Sequence, residues 1–565
     1  MQRFFNFIAV ISFLLLWQSV SFSQVELVET DNSVYDYLQR MQIKKKIIGY
    51  NSANLPISRS EVGGFLKQLI EKRTTLSQTD RDQLDYYGVE FENEVYGTIK
   101  KQSSLFSDFN LEKIFDDKKQ KHLYVYKDSN AAFYVDYIGS LSYRGSSGDS
   151  LGSRSILLGE GGFGVRGSLF ESIGFSLNAM NGARLSGDSA DFLFARSTDK
   201  RIFANGNTED FKIETFYDYF TGYLRYQTPT NWLGLSIGRY QVTQGSGFID
   251  KLFLSDNSVP FDFGKIDLRY KALSYSFLYG SLRGDSMGVE LNSKNIATHR
   301  LDVKFSEVIK FGFFESVIIT NSSFSFTFLN PISLLTSAEL NKASQGDIPN
   351  INNTLMGFDF EVVPVRNLAF QGSMIIDDLE FSTLFTDSAG ISNKFGWQFG
   401  AYWADAFTVP DLNLKLEYTR LDPFVYAHKS NKAQYTHWDL PLGPSLPPNS
   451  DQVAAGLYYN FGSRVKAGLL FQHQRSGQGL VLDSLGNVVV NYGGNINFGA
   501  GESSVVPKFL AGDRVNRDII TFNLTWEPLR QFFLNLMFVH RITNNIFESR
   551  ELTDDYFFAT FKVNY

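Results

Sequence analysis

The chain has 565 residues, of which 15% are aromatic and none is cysteine, and a formal net charge of -7 at pH 7. Without cysteine there is neither a disulfide framework nor a thiolate metal site, and the acidic balance excludes the basic patch that a nucleic-acid partner would require. No proline- or serine-rich linker divides the sequence, so its length reads as one large unit with a small appendage, not as several domains of about 150 residues.

Residues 1–23 have the form of an export signal. Arg3 supplies a positive start, Phe4 to Trp17 an apolar stretch too short to span a bilayer comfortably, and Ser21-Phe22-Ser23 a small-x-small cleavage pattern. The less favoured reading is an uncleaved anchor helix. No later segment approaches the roughly 18 apolar residues of a membrane helix, so membrane residence must come from a barrel.

Residues 24–129 read as a helical segment and a linker. Ser33 is placed to cap a run with Val34, Tyr37, Leu38 and Met41 at helical spacing. Ser58-x-x-Glu61 is a capping box ahead of Val62, Phe65, Leu66 and Leu69, and Ser77 with Asp80 opens a third run through Leu84 to Val95. Three short amphipathic helices bury little surface alone and are expected to pack on something larger.

From residue 130 to 565 the period changes to two. Phe133, Val135, Tyr137, Leu141 and Tyr143 alternate with Tyr134, Asp136, Ser140 and Ser142. Val453, Ala455, Leu457, Tyr459 and Phe461 oppose a face carrying Asn460, Lys466, Gln472 and Gln474. A soluble sandwich would also alternate, so the connections must decide. Tight turns are expected near Glu171, Pro229, Lys271, Glu307, Pro364, Pro410, Gly462 and Pro528, and long loops at 144–159, 182–212, 241–260, 284–297, 321–353, 377–393, 420–450, 475–516 and 541–551. Short and long connections alternate without a break. That is the pattern of an all-β outer-membrane barrel of about 18 antiparallel strands, with both termini periplasmic and the long loops extracellular. The last strand, FFATFKVNY, alternates Phe557, Ala559, Phe561, Val563 and Tyr565 with Phe558, Thr560, Lys562 and Asn564, and ends on an aromatic residue as barrels of this kind do.

Several stretches in this order resemble the capsule assembly Wzi family. They are IGRYQVTQGSGFIDKLFLSDNSVPFDFGKIDLRY (Ile237 to Tyr270), THRLDV (Thr298 to Val303), FESVI (Phe314 to Ile318), FLNPISLLTSAEL (Phe328 to Leu340), MIIDDLEF (Met374 to Phe381) and LEYTRLDPFVYAH, which leads into YTHWDLPLGPSLPPNSD (Tyr435 to Asp451). The N-terminal YDYLQRMQIKKKIIG and LPISRSEV look like that family's periplasmic helical start. One departure is Gln244-Gly245-Ser246-Gly247, where the family pattern has Trp-Gly-x-Gly. The resemblance implies an eighteen-stranded barrel closed by helices on its periplasmic side, acting as a surface lectin that retains or organises capsular or extracellular polysaccharide. Its other partners would be outer-membrane lipid and lipopolysaccharide, with no nucleic acid and no cofactor. The rival reading of the same strand pattern is a porin or substrate-selective channel.

Sugars are bound by stacking on aromatic rings and by planar carboxylate, amide and guanidinium groups that match adjacent hydroxyls. Tyr435, His437, Trp438 and Asp439 carry both chemistries on a proline-stiffened loop, which either presents a binding surface or folds inward and seals the pore. For Tyr435 and Trp438 the competing role is loop core or aromatic girdle. His299 and Arg300 open a strand and are expected to line the lumen as a polar pair. Asp377 and Asp378, with Glu380, sit at a loop entrance and are further candidates for polysaccharide binding; paired acids also suit general acid and base chemistry or calcium, and the competing role is a solvated rim charge. Glu315 is expected to face the lumen, because lipid exposure of a charge costs up to a few kcal/mol. The histidines at 122, 299, 428, 437, 473 and 540 form no metal or nucleophile motif, so an enzyme is not expected. The alternation of turn lengths predicts that protease added to intact cells cuts the long loops and leaves residues 31–98 intact; recovery of N-terminal peptides from the medium would reverse the topology.

Overall fold

Alternation of apolar and polar residues forces one face of each strand outward and the other inward, and a sheet with two such faces has no free edge only when it closes. In the structure, a computed structural model, the described residues are 24–97, 101–104, 115–116, 118–205, 216–283, 294–320, 325–338, 352–378, 393–429, 432–501, 504 and 508–565. The export-signal stretch 1–23, Glu380 and the side chain of Asp378 lie outside them. Among the described residues, eighteen antiparallel strands between Ala131 and Asn564 form a closed barrel.

Closure is made by Arg550–Asn564 against Ala131–Gly148. At the seam the Tyr565 N–H donates to the Tyr137 carbonyl at 2.8 Å, and the Tyr137 N–H returns the bond at 2.6 Å. Beyond the terminus, Tyr124–Lys127 continues along Ala132–Val135 and pairs in turn with Lys101–Ser104. The outer face is apolar, with Phe163, Leu177, Leu224, Phe399, Leu469 and Phe561 all exposed. Phe170, Trp232, Tyr270, Phe407, Phe461 and Trp526 form an aromatic girdle near the short turns.

Two expected long loops are short. The strands run on to Gly148 and to Asn545, leaving only Asp149–Ser153 and Ile546–Ser549 as connections. The polar residues there mark where the wall leaves the bilayer, while the backbone ladder continues. The turn expected at Pro528 lies instead at Arg530–Gln531, because a register shift between Trp526 and Leu529 accommodates the proline.

The helices Val34–Ile43, Arg59–Glu71, Gln78–Glu90 and Glu92–Tyr96 share a core of Leu38, Met41, Leu66, Leu69, Leu84 and Tyr87. Ser58 and Glu61 make the full capping box. Ser33 does not cap: it is itself helical, and Asn32 Oδ1 accepts the Val34 N–H at 2.9 Å. The helices lie under the short-turn end, where Arg40 meets Asp411 at 3.0 Å, Lys44 meets Asp405 at 2.8 Å and Gln83 donates to the Gly462 carbonyl at 3.3 Å.

The lumen is filled from above by the long connections, in residues 241–260, 422–429 and 432–449. Wall carboxylates hold the first. Glu417 accepts the N–H groups of Phe248, Ile249 and Asp250 at 2.8, 3.1 and 2.9 Å, and Asp359 accepts the Ser246 N–H and hydroxyl at 3.1 and 3.0 Å. Asp250 ties the two connections together by accepting the Ser445 N–H at 3.0 Å. From below, Asn54–Leu55 pairs with Thr243–Gln244, so the helical segment reaches into the barrel and meets the plug.

Arg300 and His299 do not form a lumen-lining pair. Arg300 faces the lumen and bonds Asp359 at 2.8 and 3.0 Å and Asp302 at 2.7 and 3.2 Å, a buried ion network. His299, one residue away, points outward. Glu315 likewise faces out, contrary to expectation. The charge is kept from lipid by residues 325–338, which fold over the outer wall. Phe328 and Leu335 pack on Ala297, Val317 and Ile319, and Glu315 accepts the N–H groups of Leu335 and Thr336 at 2.8 and 3.3 Å. Phe326, Ile332 and Leu334 on this flap are 83, 90 and 61% exposed, an apolar outer surface in place of the covered charge.

Replacing Glu417 with Ala strands three buried N–H groups, each costing about 1–3 kcal/mol. The expected result is a several-fold rise in channel openings in a planar bilayer over a nearly closed wild type, with heat-modifiable gel migration unchanged.

Candidate functional site

The plug packs against the wall from Leu233–Tyr240 round to Leu412–Leu421, and on the other side of the lumen the helices Ser189–Thr198 and Lys200–Asn205 pack Phe192, Phe194, Ala195 and Ile202 on Ile156, Leu158, Tyr217 and Tyr556. A cavity of about 1040 Å³ lies between them, walled by strands of the first part of the barrel and the last strand, by Leu27–Asp31, by Lys200 and Arg201 of the second helix and by His437 and Trp438 of the plug.

His437 and Trp438 belong to a small hairpin in which Thr436 and His437 pair with Pro441 and Leu440. Its turn residues, Trp438 and Asp439, have φ of 55° and 59°. Two successive left-handed residues that are not glycine store on the order of 1 kcal/mol each, so surrounding contacts must hold them. Those contacts are explicit. His437 Nδ1 accepts the Arg283 N–H at 2.9 Å, Ser258 Oγ donates to the His437 carbonyl at 3.2 Å, and Lys294 Nζ donates to Thr436 Oγ1 at 3.0 Å. With Nδ1 accepting, the ring proton sits on Nε2. Trp438 is left half-buried against the cavity, with the Arg283 guanidinium 5.5 Å from its ring centroid.

The opposite wall is tyrosine-rich. Glu160 accepts the hydroxyls of Ser140 and Tyr217, each at 2.9 Å; the Tyr219 hydroxyl accepts from Arg201 at 2.7 Å; and the Tyr223 hydroxyl accepts the Leu27 N–H at 2.7 Å. Asn178 donates to Glu29 at 2.7 Å. The cavity thus offers an indole face, phenol rings, carboxylates and guanidinium groups, the set that sugar hydroxyls and pyranose faces require.

The other anticipated residues lie elsewhere. Tyr435 is 1% exposed and stacks on Tyr426 with ring centroids 5.4 Å apart, so it is plug core and presents no ring to a ligand. Asp377 is neither a rim charge nor a ligand acid: it is buried and accepts the Tyr426 N–H at 2.8 Å. Asp439 follows Trp438 but does not line the cavity, and its Oδ1 is buried with no hydrogen-bond partner among the described residues. His299 and Arg300 are structural, outside and inside the wall respectively. Glu160, Tyr219, Tyr223 and Tyr240 were missed. A signal existed: in FYDYFTGYLRY the tyrosines at 217, 219 and 223 share the lumen face with Arg225, where alternation alone would have been met by any polar residue.

Burial pushes His437 down to about 3, and Lys294, Arg239 and Arg283 add to the effect. The folded hairpin therefore holds His437 neutral, while the unfolded ring protonates near 6.5. Sign follows: the folded state binds fewer protons, so the hairpin loses stability as pH falls from about 6.5 towards 3. The Trp438 emission, taken as wild type minus Trp438→Phe, is expected to shift over that range. In His437→Asn, whose amide oxygen still accepts the Arg283 N–H, the shift is expected to disappear.

The capsule assembly protein Wzi family matches residues 217–534, more than half of the chain. A search of curated proteins finds no match. Among solved structures, the fold is similar to Escherichia coli Wzi, described as an outer-membrane protein involved in group 1 capsule assembly and a carbohydrate-binding β-barrel, at 14% identity over 95% of this chain and 99% of that one with a TM-score of 0.55. Weaker likenesses are Acinetobacter baumannii OccAB2, at 10% identity over 77% of this chain and 98% of that one with a TM-score of 0.44, and Pseudomonas aeruginosa OpdK with vanillate, at 8% identity over 76% and 99% with a TM-score of 0.43. With its eighteen-stranded wall, apolar outer band and helical N-terminal region, the chain belongs to the capsule assembly Wzi family of outer-membrane β-barrels.

Proposed function

We propose that this barrel is a surface lectin that binds capsular or extracellular polysaccharide in the lumen cavity and so helps to retain or organise it at the cell surface. The observation that carries this reading is the half-buried Trp438, held in a strained turn opposite a tyrosine wall and flanked by Arg283. A half-buried indole on a hydrogen-bonded hairpin, open to a polar cavity, offers a stacking face. The carbohydrate binding stated for the Escherichia coli structure is consistent with this, at the level of shared fold.

In this reading residues 1–23 are an export signal, 24–129 a periplasmic segment and 130–565 the barrel. The long connections face outward and the helices lie in the periplasm under the short turns. Lipid and lipopolysaccharide surround the apolar band. The channel reading is disfavoured by the plug, whose backbone amides are bound to Asp359 and Glu417 in the middle of the lumen.

Trp438→Ala removes one stacking surface, on the order of 1 kcal/mol, and is expected to weaken binding of isolated cell-surface polysaccharide about fivefold. The barrel is expected to survive, because the hairpin contributes nothing to the wall ladder. Folded mutant protein with unchanged binding would move the site away from this cavity.

A further inference from the structure

Among the described residues, the wall has a notch. The strand Phe216–Gln227 pairs with Ile173–Ser186 up to Phe216 opposite Ala183, but with Leu233–Tyr240 only from Gly222 opposite Arg239 downward. Leu233–Tyr240 and Phe261–Tyr270 stop at that height, where Tyr240 meets Phe261. The chain leaves the wall at Tyr240 to become the plug. Among the described residues, the edge Tyr217–Thr221 therefore has a neighbouring strand on one side only.

The cavity runs through this notch. It is lined by lumen-facing Tyr219, Tyr223 and Glu160, and also by Asp218, Phe220, Arg239 and Asp262, which alternate onto the outer face. One cavity touches both faces of these strands because, among the described residues, no strand continues the sheet beside Tyr217–Thr221. The sill is an ion pair, Arg239 Nε to Asp262 Oδ1 at 2.9 Å, with the guanidinium 4.4 Å from the Phe220 ring centroid. Below it the outer wall is apolar, with Leu224 and Ile237 exposed at 53 and 66%.

Resting on the reading of the cavity as a carbohydrate site, we propose that its ligand is a glycan carrying a hydrocarbon tail: a glycolipid of the outer leaflet, whose sugar head enters sideways through the notch. Its acyl chains remain against Phe220, Leu224 and Ile237 in the membrane, and its anionic groups meet Arg283 inside the threshold, the Arg239 charge being taken up by Asp262. A water-borne glycan would gain nothing from an apolar doorstep, whereas an amphiphile keeps each half in its own solvent.

The test uses the full-length protein in phospholipid nanodiscs, with deep-rough lipopolysaccharide as one probe and its core oligosaccharide, released by mild acid, as the other. A benzophenone amino acid replaces Phe220 or, as an outward-facing control, Phe163. Lipopolysaccharide is expected to cross-link at position 220 about tenfold more than at 163, and to change Trp438 emission at about tenfold lower concentration than the released oligosaccharide does. Phe220→Arg, checked for folding by heat-modifiable migration, is expected to lose this preference for the lipid-bearing probe. Equal affinities for the two probes, with equal cross-linking at both positions, would overturn sideways entry while leaving the carbohydrate site standing. If neither probe alters Trp438 emission, the carbohydrate site falls and sideways entry falls with it.

Discussion

A loop folded into a barrel lumen gives up water along its backbone, and each buried N–H then needs an acceptor. Asp359 and Glu417 supply them from the wall, together taking four backbone N–H groups and a hydroxyl of residues 246–250. Asp359 is itself neutralised by Arg300, so the acceptor does not remain as an unpaired buried charge. This grip places the plug on one side of the lumen. The cavity beside it, the position of the Trp438 hairpin and the departure of the wall at Tyr240 all follow from it.

The same accounting operates on the outside. Glu315 and His299 occupy the lipid-facing side, where exposed charge is most costly. Residues 325–338 resolve the conflict by bringing two N–H groups to the Glu315 carboxylate and turning Phe326, Ile332 and Leu334 outward. A segment that reads as an outer loop is therefore a second layer of barrel wall. It also accounts for a charged residue in the middle of the FESVI stretch.

Exposure to the cavity, and not backbone strain, distinguishes Trp438 from the rest of the plug, since Phe424, Tyr426 and Asn449 are left-handed as well. Tyr426 and Tyr435 stack as ordinary core, and their burial does for the plug what any pair of large rings would do. Trp438 differs in that its ring is half-buried and lines the cavity, on a hairpin held by Arg283, Ser258 and Lys294. Adjacent aromatic residues in one loop thus have opposite roles.

The strand alternation, most of the turn positions and the capping box at Ser58 were legible in the sequence, because each depends on a local period or a few neighbouring residues, whereas the loops expected at 144–159 and 541–551 are short. From them came the closed antiparallel wall, the apolar outer band and the helical start. The facing of His299, Arg300 and Glu315 was not legible, since alternation says which residues share a face but covering by a remote segment decides whether a polar residue may lie outside. Nor was the division between Tyr435 as core and Trp438 as cavity wall, which depends on where the plug comes to rest. Sequence by itself determined the barrel, because hydrogen-bond satisfaction in a membrane leaves little choice. Only the tertiary structure decided the site, because wall carboxylates far apart in the chain hold the loops that shape it.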